Sequence, residues 1–306
     1  MTLQQLQYVI ALDTHRHFVR AAESCHVAQP TLTLQLKKLE HQLSTVLFDR
    51  SSKPLRPTPM GEIFIEKARQ ILRDVDQLKA LVNEERTQIE GTFRLGIIPT
   101  IAPYLLPRFL GGFRDQYPDT QLSIQEIRSE EIIRQLEINQ LDIGIMATPL
   151  QEQHIREIPL YYEPFLLYAH SENPILTRKK ITPRALRPEE LWLLNQGHCF
   201  RDHALNFCGV QENRLPTLEA GSIQTLKSLV RQLSGYTLIP ELSYDKARDA
   251  KNCVKFHDPQ PVREISLVVH KNFTKELLLT ELRRTILDQI PENFRKNERF
   301  MTVKWR

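Results

Sequence analysis

The spacing of apolar residues changes twice along the chain, and the three stretches so defined predict three kinds of structure. In the first stretch Leu3, Leu6, Tyr8, Val9, Ile10 and Leu12 recur at helical spacing and predict a buried amphipathic helix. A turn at His15-Arg16-His17 leads to a second helix over 19–26, whose Ala21 and Ala22 let another helix approach closely. Val27-Ala28-Gln29 is a short connection, and Pro30 suits the first position of a third helix, where its missing N–H costs nothing. That helix runs from Thr31 to about Leu43, with Leu32, Leu36, Leu39 and Leu43 on one face. Thr31, Thr33, Gln35, Lys37 and Lys38 lie mostly on the other. Two short helices, a tight turn and a second helix that presents hydroxyls, amides and lysines describe a helix-turn-helix, whose recognition helix lies in the major groove. The proline-limited basic run over 49–58 reads as a wing against the phosphate backbone. Spacing alone leaves a plainer reading open, a small helical subdomain with a solvated basic face.

From Pro59 to about Glu90 no proline follows and no glycine follows Gly61. Phe64, Ala68, Ile71, Val75, Leu78 and Val82 alternate in steps of four and three, a seam that predicts a long helix pairing with a second copy. Beyond residue 91 short β-rich runs alternate with helical ones: strands near 93–98, 121–124, 141–146, 165–169, 192–194, 236–239 and 265–269, helices near 105–116, 130–138 and 275–290. That order predicts an α/β fold with largely parallel sheets, arranged as two small lobes with a ligand cleft between them. The expected domains are 1–58, 59–90 and 91–306, the last with lobe I over about 91–162 and 268–306 and lobe II over about 163–267. The basic tail over 295–306 reads by default as a solvated end, with a tetramer contact as the alternative.

Composition narrows this little. The 306 residues are 41% apolar and 25% charged, and a net charge of +4 is too mild to identify a nucleic-acid binder by itself. Four scattered cysteines do not form a secreted disulfide framework. Met1 to Gln7 lacks a signal peptide's basic start, and no run approaches the roughly 18 apolar residues of a membrane span, so a cytoplasmic location without membrane contact is expected. One segment carries chemistry: Gly197-His198-Cys199-Phe200-Arg201-Asp202-His203-Ala204-Leu205-Asn206-Phe207-Cys208. A thiolate is the reactive form of cysteine, and His198, Arg201 and a helix opening near Cys199 are neighbours of the kind that favour it. Nine residues of helix rise about 13.5 Å, whereas a disulfide needs Cα atoms within roughly 7 Å. Cys199 and Cys208 therefore cannot bond while the intervening helix persists. Two structural cysteines, or a metal site with His198, Cys199, His203 and Cys208, remain open readings, although that spacing matches no compact zinc pattern.

Ala21-Ala22, Val27-Ala28-Gln29-Pro30-Thr31-Leu32-Thr33, Lys38-Leu39-Glu40, Leu47-Phe48-Asp49-Arg50 and Thr58-Pro59-Met60-Gly61 resemble the winged helix-turn-helix of LysR-type transcriptional regulators. The resemblance implies a winged helix-turn-helix, a dimerising linker helix and a two-lobed, periplasmic-binding-protein-like regulatory domain. It implies that Gln29, Pro30, Thr31, Thr33 and Lys37 face bases or phosphates and that Arg50 reaches toward the minor groove. Ile98-Pro99-Thr100-Ile101-Ala102-Pro103 and the cysteine segment are similar to the peroxide-sensing branch of that family. By that likeness hydrogen peroxide oxidises Cys199 to a sulfenic acid and Cys208 resolves it to a disulfide. Thr100, Ser129, His198, Arg201, Asp202 and Arg263 would shape the peroxide pocket, while Cys25 and Cys253 match neither role. Promoter DNA, RNA polymerase and a homodimer through the linker helix, assembled as a homotetramer, are the implied partners; no cofactor and no metal is expected. Two other readings compete: a regulator switched by a small molecule in the cleft with structural cysteines, and a thiol peroxidase, against which the helix-turn-helix argues.

Overall fold

The structure, a computed structural model, describes all residues except 84–88, 211–218 and 297–299, and only the backbone at 73, 76, 77 and 79–83. The chain divides into two compact units, Met1–Thr87 and Gln88–Arg306.

In the first unit Thr2 caps helix α1 (Leu3–His15): its hydroxyl accepts from the Gln5 N–H while the Gln5 side chain accepts from the Thr2 N–H. Helices α2 (Phe18–Ser24) and α3 (Gln29–Leu43, with Pro30 in its first turn) follow. Tyr8, Val9, Leu12, Ala21, Leu32 and Leu36 bury the inner faces of all three. Strands β1 (Phe48–Asp49) and β2 (Arg56–Pro57) pair antiparallel as the wing. Gly61 lets helix α4 (Pro59–Asn83) press onto that wing, because a Cβ there would sit 2.0 Å from the Leu47 carbonyl oxygen. Along α4 Ile63, Ile71 and Leu78 are exposed, and Leu78 stands 64% open. The helix expected to reach 90 is described only to Asn83; Ile89 and Glu90 are irregular, and the side chain of Val82 lies outside the described residues.

The second unit opens with β3 (Gly91–Ile97), α5 (Ala102–Gln116), β4 (Thr120–Glu126), α6 (Ser129–Glu137) and β5 (Ile143–Thr148). A long β6 (Ile155–Ala169) leads to the short strands β7 (Lys180–Ile181) and β8 (Leu193–Leu194), then to α7 (Cys199–Cys208). After β9 (Glu219–Ala220) come α8 (Ile223–Leu233), β10 (Tyr236–Pro240), α9 (Lys246–Asp249) and β11 (Cys253–Phe256). A second long strand, β12 (Gln260–His270), precedes α10 (Glu276–Asp288) and β13 (Phe300–Thr302).

The main sheet runs β4-β3-β5-β12-β6-β11-β7, with β10 also on β6 and β13 on β12. It is parallel across β4, β3 and β5 but antiparallel from β5 through β12, β6 and β10. The expectation of largely parallel sheets is corrected there. Two long strands lie side by side and carry the sheet from one apolar core into another, which a βαβ repeat cannot do. One core gathers Leu95, Ile97, Phe109, Ile145, Leu267 and Leu282; the other gathers Phe165, Leu167, Phe200, Leu226, Leu238 and Phe256.

The tail is also corrected. Residues 300–302 add a parallel strand to β12, and Val303 and Trp305 are buried. Arg306 pairs with Glu130 and Glu152. Burial of Val303 and Trp305 and the Arg306 ion pairs tie this end down, so it is docked rather than solvated. No helix among the described residues is long and apolar enough to cross a membrane.

Candidate functional site

Gly197 turns the chain at φ +88°, a conformation that costs a side-chain-bearing residue strain, and α7 begins two residues later at Cys199. Gly209, at φ +62°, ends it immediately after Cys208. The two cysteines therefore close the first and last positions of one ten-residue helix, and both are free thiols. At 1.5 Å per residue their Cα atoms are about 13 Å apart along the axis, far outside disulfide reach. This helix and a Cys199–Cys208 bond exclude each other.

Cys199 is buried in the first core, whereas Phe200, Ala204 and Phe207 of the same helix pack into the second. Around the thiol three segments converge. Arg263, on β12 and wholly buried, donates from one guanidinium nitrogen to Thr100 Oγ1 at 2.8 Å and from another to the Thr100 carbonyl at 3.0 Å. It is bound to the Glu163 carboxylate at 2.7 and 2.9 Å and lies 4.9 Å over the Phe200 ring. Burial raises the Glu163 carboxyl against the pull of Arg263. Ser129, the first residue of α6, has a buried hydroxyl without a hydrogen-bond partner. Its proximity to Cys199 favours the thiolate.

The electrostatics are opposed. Burial is the largest influence on Cys199 and raises its pKa; the Arg263 charge, Ser129 and the Phe200 N–H lower it, while the Asp202 charge raises it. Burial alone pushes Cys208 up to about 12. Both resting thiols are thus protonated at neutral pH, and the Arg263 cation stands beside Cys199.

The structure brings Thr100, Ser129 and Arg263 together at Cys199 and corrects two other expectations, the cationic roles of Arg201 and His198. Arg201 does not serve the thiol: one guanidinium nitrogen donates to the Leu194 carbonyl at 2.8 Å and to Glu219 at 2.6 Å, clamping α7 to the β8–β9 pair. Residues two apart on a helix face different sides, so a helix starting at Cys199 turns Arg201 away. His198 is no cation either, since burial and then the Arg128 charge lower its pKa. Asp202 acts against the thiolate.

Sequence reasoning missed Glu163 and gave His203 only a metal role. His203 Nδ1 lies 2.7 Å from the Cys199 carbonyl, and burial first, then Arg263, depresses it to about 3. The four-residue spacing from Cys199 was the available signal. Glu163 left none. Cys253 opens strand β11, and Cys25 caps the end of α2. No cluster of three metal-ligating side chains occurs among the described residues.

In the first unit Gln29, Pro30, Thr31 and Lys37 are exposed along the outer face of α3, with Thr33 half-buried. The Gln29 amide donates to the Thr33 hydroxyl at 3.2 Å, and that hydroxyl donates to the Gln29 carbonyl at 2.9 Å. Arg50 departs from expectation: instead of reaching outward it is bound to Glu40 at 2.8 Å. The other Glu40 oxygen accepts from the Leu47 and Phe48 N–H groups, and a buried carboxylate so placed draws in the nearest cation.

Two family models match the chain: the bacterial regulatory helix-turn-helix protein of the lysR family over residues 3–62, and the LysR substrate binding domain over 86–291. A hydrogen peroxide-inducible genes activator of Pectobacterium carotovorum subsp. carotovorum is 36% identical over 273 residues, covering 88% of this chain and 90% of that one. The DNA-binding transcriptional dual regulator OxyR of Escherichia coli (strain K12) is also 36% identical, over 88% and 89%. Among solved structures, a full-length OxyR variant from Pseudomonas aeruginosa superposes with a TM-score of 0.80 at 31% identity, covering 94% of this chain and 98% of that one. The chain belongs to the LysR family of bacterial transcriptional regulators.

Proposed function

We propose that this chain is a DNA-binding transcriptional regulator that senses hydrogen peroxide through Cys199 and is switched by a Cys199–Cys208 disulfide. The observation that carries the reading is the constellation at the start of α7: a buried thiol flanked by the Arg263 charge and the buried Ser129 hydroxyl. Its relatives named as hydrogen peroxide-inducible genes activators support the same effector.

In the first step the Cys199 thiol gives up its proton and the sulfur pair attacks the nearer peroxide oxygen. The O–O bond breaks, the farther oxygen leaves as hydroxide and takes a proton to become water, and Cys199 becomes a sulfenic acid. Arg263 offsets the negative charge that builds up, Thr100 holds Arg263 in place, and Ser129 donates toward the reacting oxygens. In the second step α7 unwinds, the Cys208 sulfur attacks Cys199 and a second water leaves. Two thiols and one peroxide thus give one disulfide and two waters.

Because α7 spans both apolar cores, its unwinding moves surfaces of each, and the change reaches the DNA-binding unit and RNA polymerase. We further assign a homodimer through the α4 seam, paired into a homotetramer, and a cytoplasmic location. The assignment of a regulator rather than an enzyme rests on this stoichiometric switch, since each oxidation consumes the helix that must be rebuilt.

The test is peroxide oxidation followed by trapping of sulfenic acid. In Cys208→Ser the sulfenic acid should persist on Cys199, in wild type it should pass rapidly to a disulfide, and in Cys199→Ser neither should form. A Cys199→Ser protein that still changes its DNA binding with a small metabolite would replace this reading with a ligand-switched one.

A further inference from the structure

Helix α3 buries Leu32, Leu36 and Leu39 on one side. Two residues before Leu36, at about 100° per residue, stands Leu34, roughly 160° around the helix from the core. It is 53% exposed. A lone exposed leucine on an arbitrary surface needs no explanation. This one occupies the middle of a polar face, one turn after Pro30 and Thr31 and one turn before Lys37 and Lys38, all four of them exposed. Side chains on a helix lean back toward its N-terminus. The Leu34 methyls therefore cover the turn at Pro30 and Thr31, in the N-terminal part of a recognition helix that meets base edges.

The major groove offers one apolar feature to such a side chain, the C5-methyl group of thymine. We propose that Leu34 is a specificity-determining residue that reads a thymine methyl in the half-site. The inference rests on the helix-turn-helix reading and deepens it. Hydroxyl, amide and ammonium groups around Leu34 supply hydrogen bonds and phosphate contacts, whereas Leu34 supplies discrimination without a hydrogen bond. Cytosine at that position would present an amine and no methyl, leaving the leucine against a polar edge.

The experiment uses the full-length protein and a duplex that it selects from a randomised pool. Each thymine of the half-site is replaced in turn by deoxyuridine, which keeps the hydrogen-bonding edge and removes only the methyl. Affinity is measured at fixed salt for wild type and for Leu34→Ala, an exposed substitution that leaves the core intact. Wild type should lose about fivefold to tenfold at one position, and Leu34→Ala should bind the thymine and deoxyuridine duplexes alike. Wild-type indifference at every thymine, or a methyl dependence retained by Leu34→Ala, would overturn the inference while leaving the helix-turn-helix reading in place. Selection of no duplex at all would overturn both.

Discussion

Cys199 is a thiol whose surroundings pull in two directions, and Arg263 decides how reactive it can become. Arg263 is the strongest of the influences that lower the Cys199 pKa, so Arg263→Met should slow peroxide oxidation by about tenfold to a hundredfold. The same change strands the buried Glu163 and should cost about 3–5 kcal/mol of stability in urea unfolding. Arg263→Met with Glu163→Gln should recover most of that stability and none of the rate, which separates chemistry from folding. His203 gives a pH signature. It is held neutral and depressed to about 3, so between pH 6.5 and 3 the unfolded chain binds the extra proton. Its stabilising contribution is complete above pH 6.5 and is lost as pH falls toward 3. Acid unfolding of His203→Asn should therefore be less steep across that window. Cys199 and Cys208 could be singled out from the sequence because chemistry and spacing lie in one short segment. Thr100, Ser129 and Arg263 come from segments far apart, and only likeness to a family pointed to them. Arg201 was misplaced because nearness along the chain was taken for nearness of side chains, which a helix forbids.

At the scale of elements, α7 is built to hold two thiols apart and the tail is built to hold the second unit together. The Asn206 side chain, on α7, donates to the Lys304 carbonyl at 2.8 Å, so the tail touches α7 as well as β12. Trp305→Ala should destabilise the second unit by about 3 kcal/mol in urea, because it empties a buried aromatic position. A change below about 0.5 kcal/mol would mean that the tail is not docked in solution. Helical periodicity located α1, α3, α5, α6 and α10 well, since each has one buried face. The first half of β6 was not legible, because prolines and charges interrupt its alternation while β12 pairs with it regardless. Helix α8 carries its buried Lys227 on the inner face, where it pairs with Asp249, and that lysine blurs the apolar stripe.

For the whole molecule, a single chain satisfies only part of the α4 seam: Ala68 is buried and Phe64 packs against the first unit's core, whereas Ile71 and Leu78 stay exposed. The exposure of Ile71 and Leu78 suits a helix whose outer half pairs with a copy of itself. Ile71→Glu should shift the sedimenting species toward monomer and weaken binding to a two-fold DNA site, with the fold of each unit unchanged by circular dichroism. The central claim concerns the switch, and the most direct measurement follows both thiols and the helix between them. The reduced protein is exposed briefly to low peroxide, remaining thiols are blocked by alkylation, and peptide mass mapping is run beside amide hydrogen exchange over α7. A Cys199–Cys208 cross-link should appear together with rapid exchange across 199–208, and both should be absent from Cys199→Ser. Both thiols still alkylated, or a cross-link formed while α7 stays protected, would contradict the account.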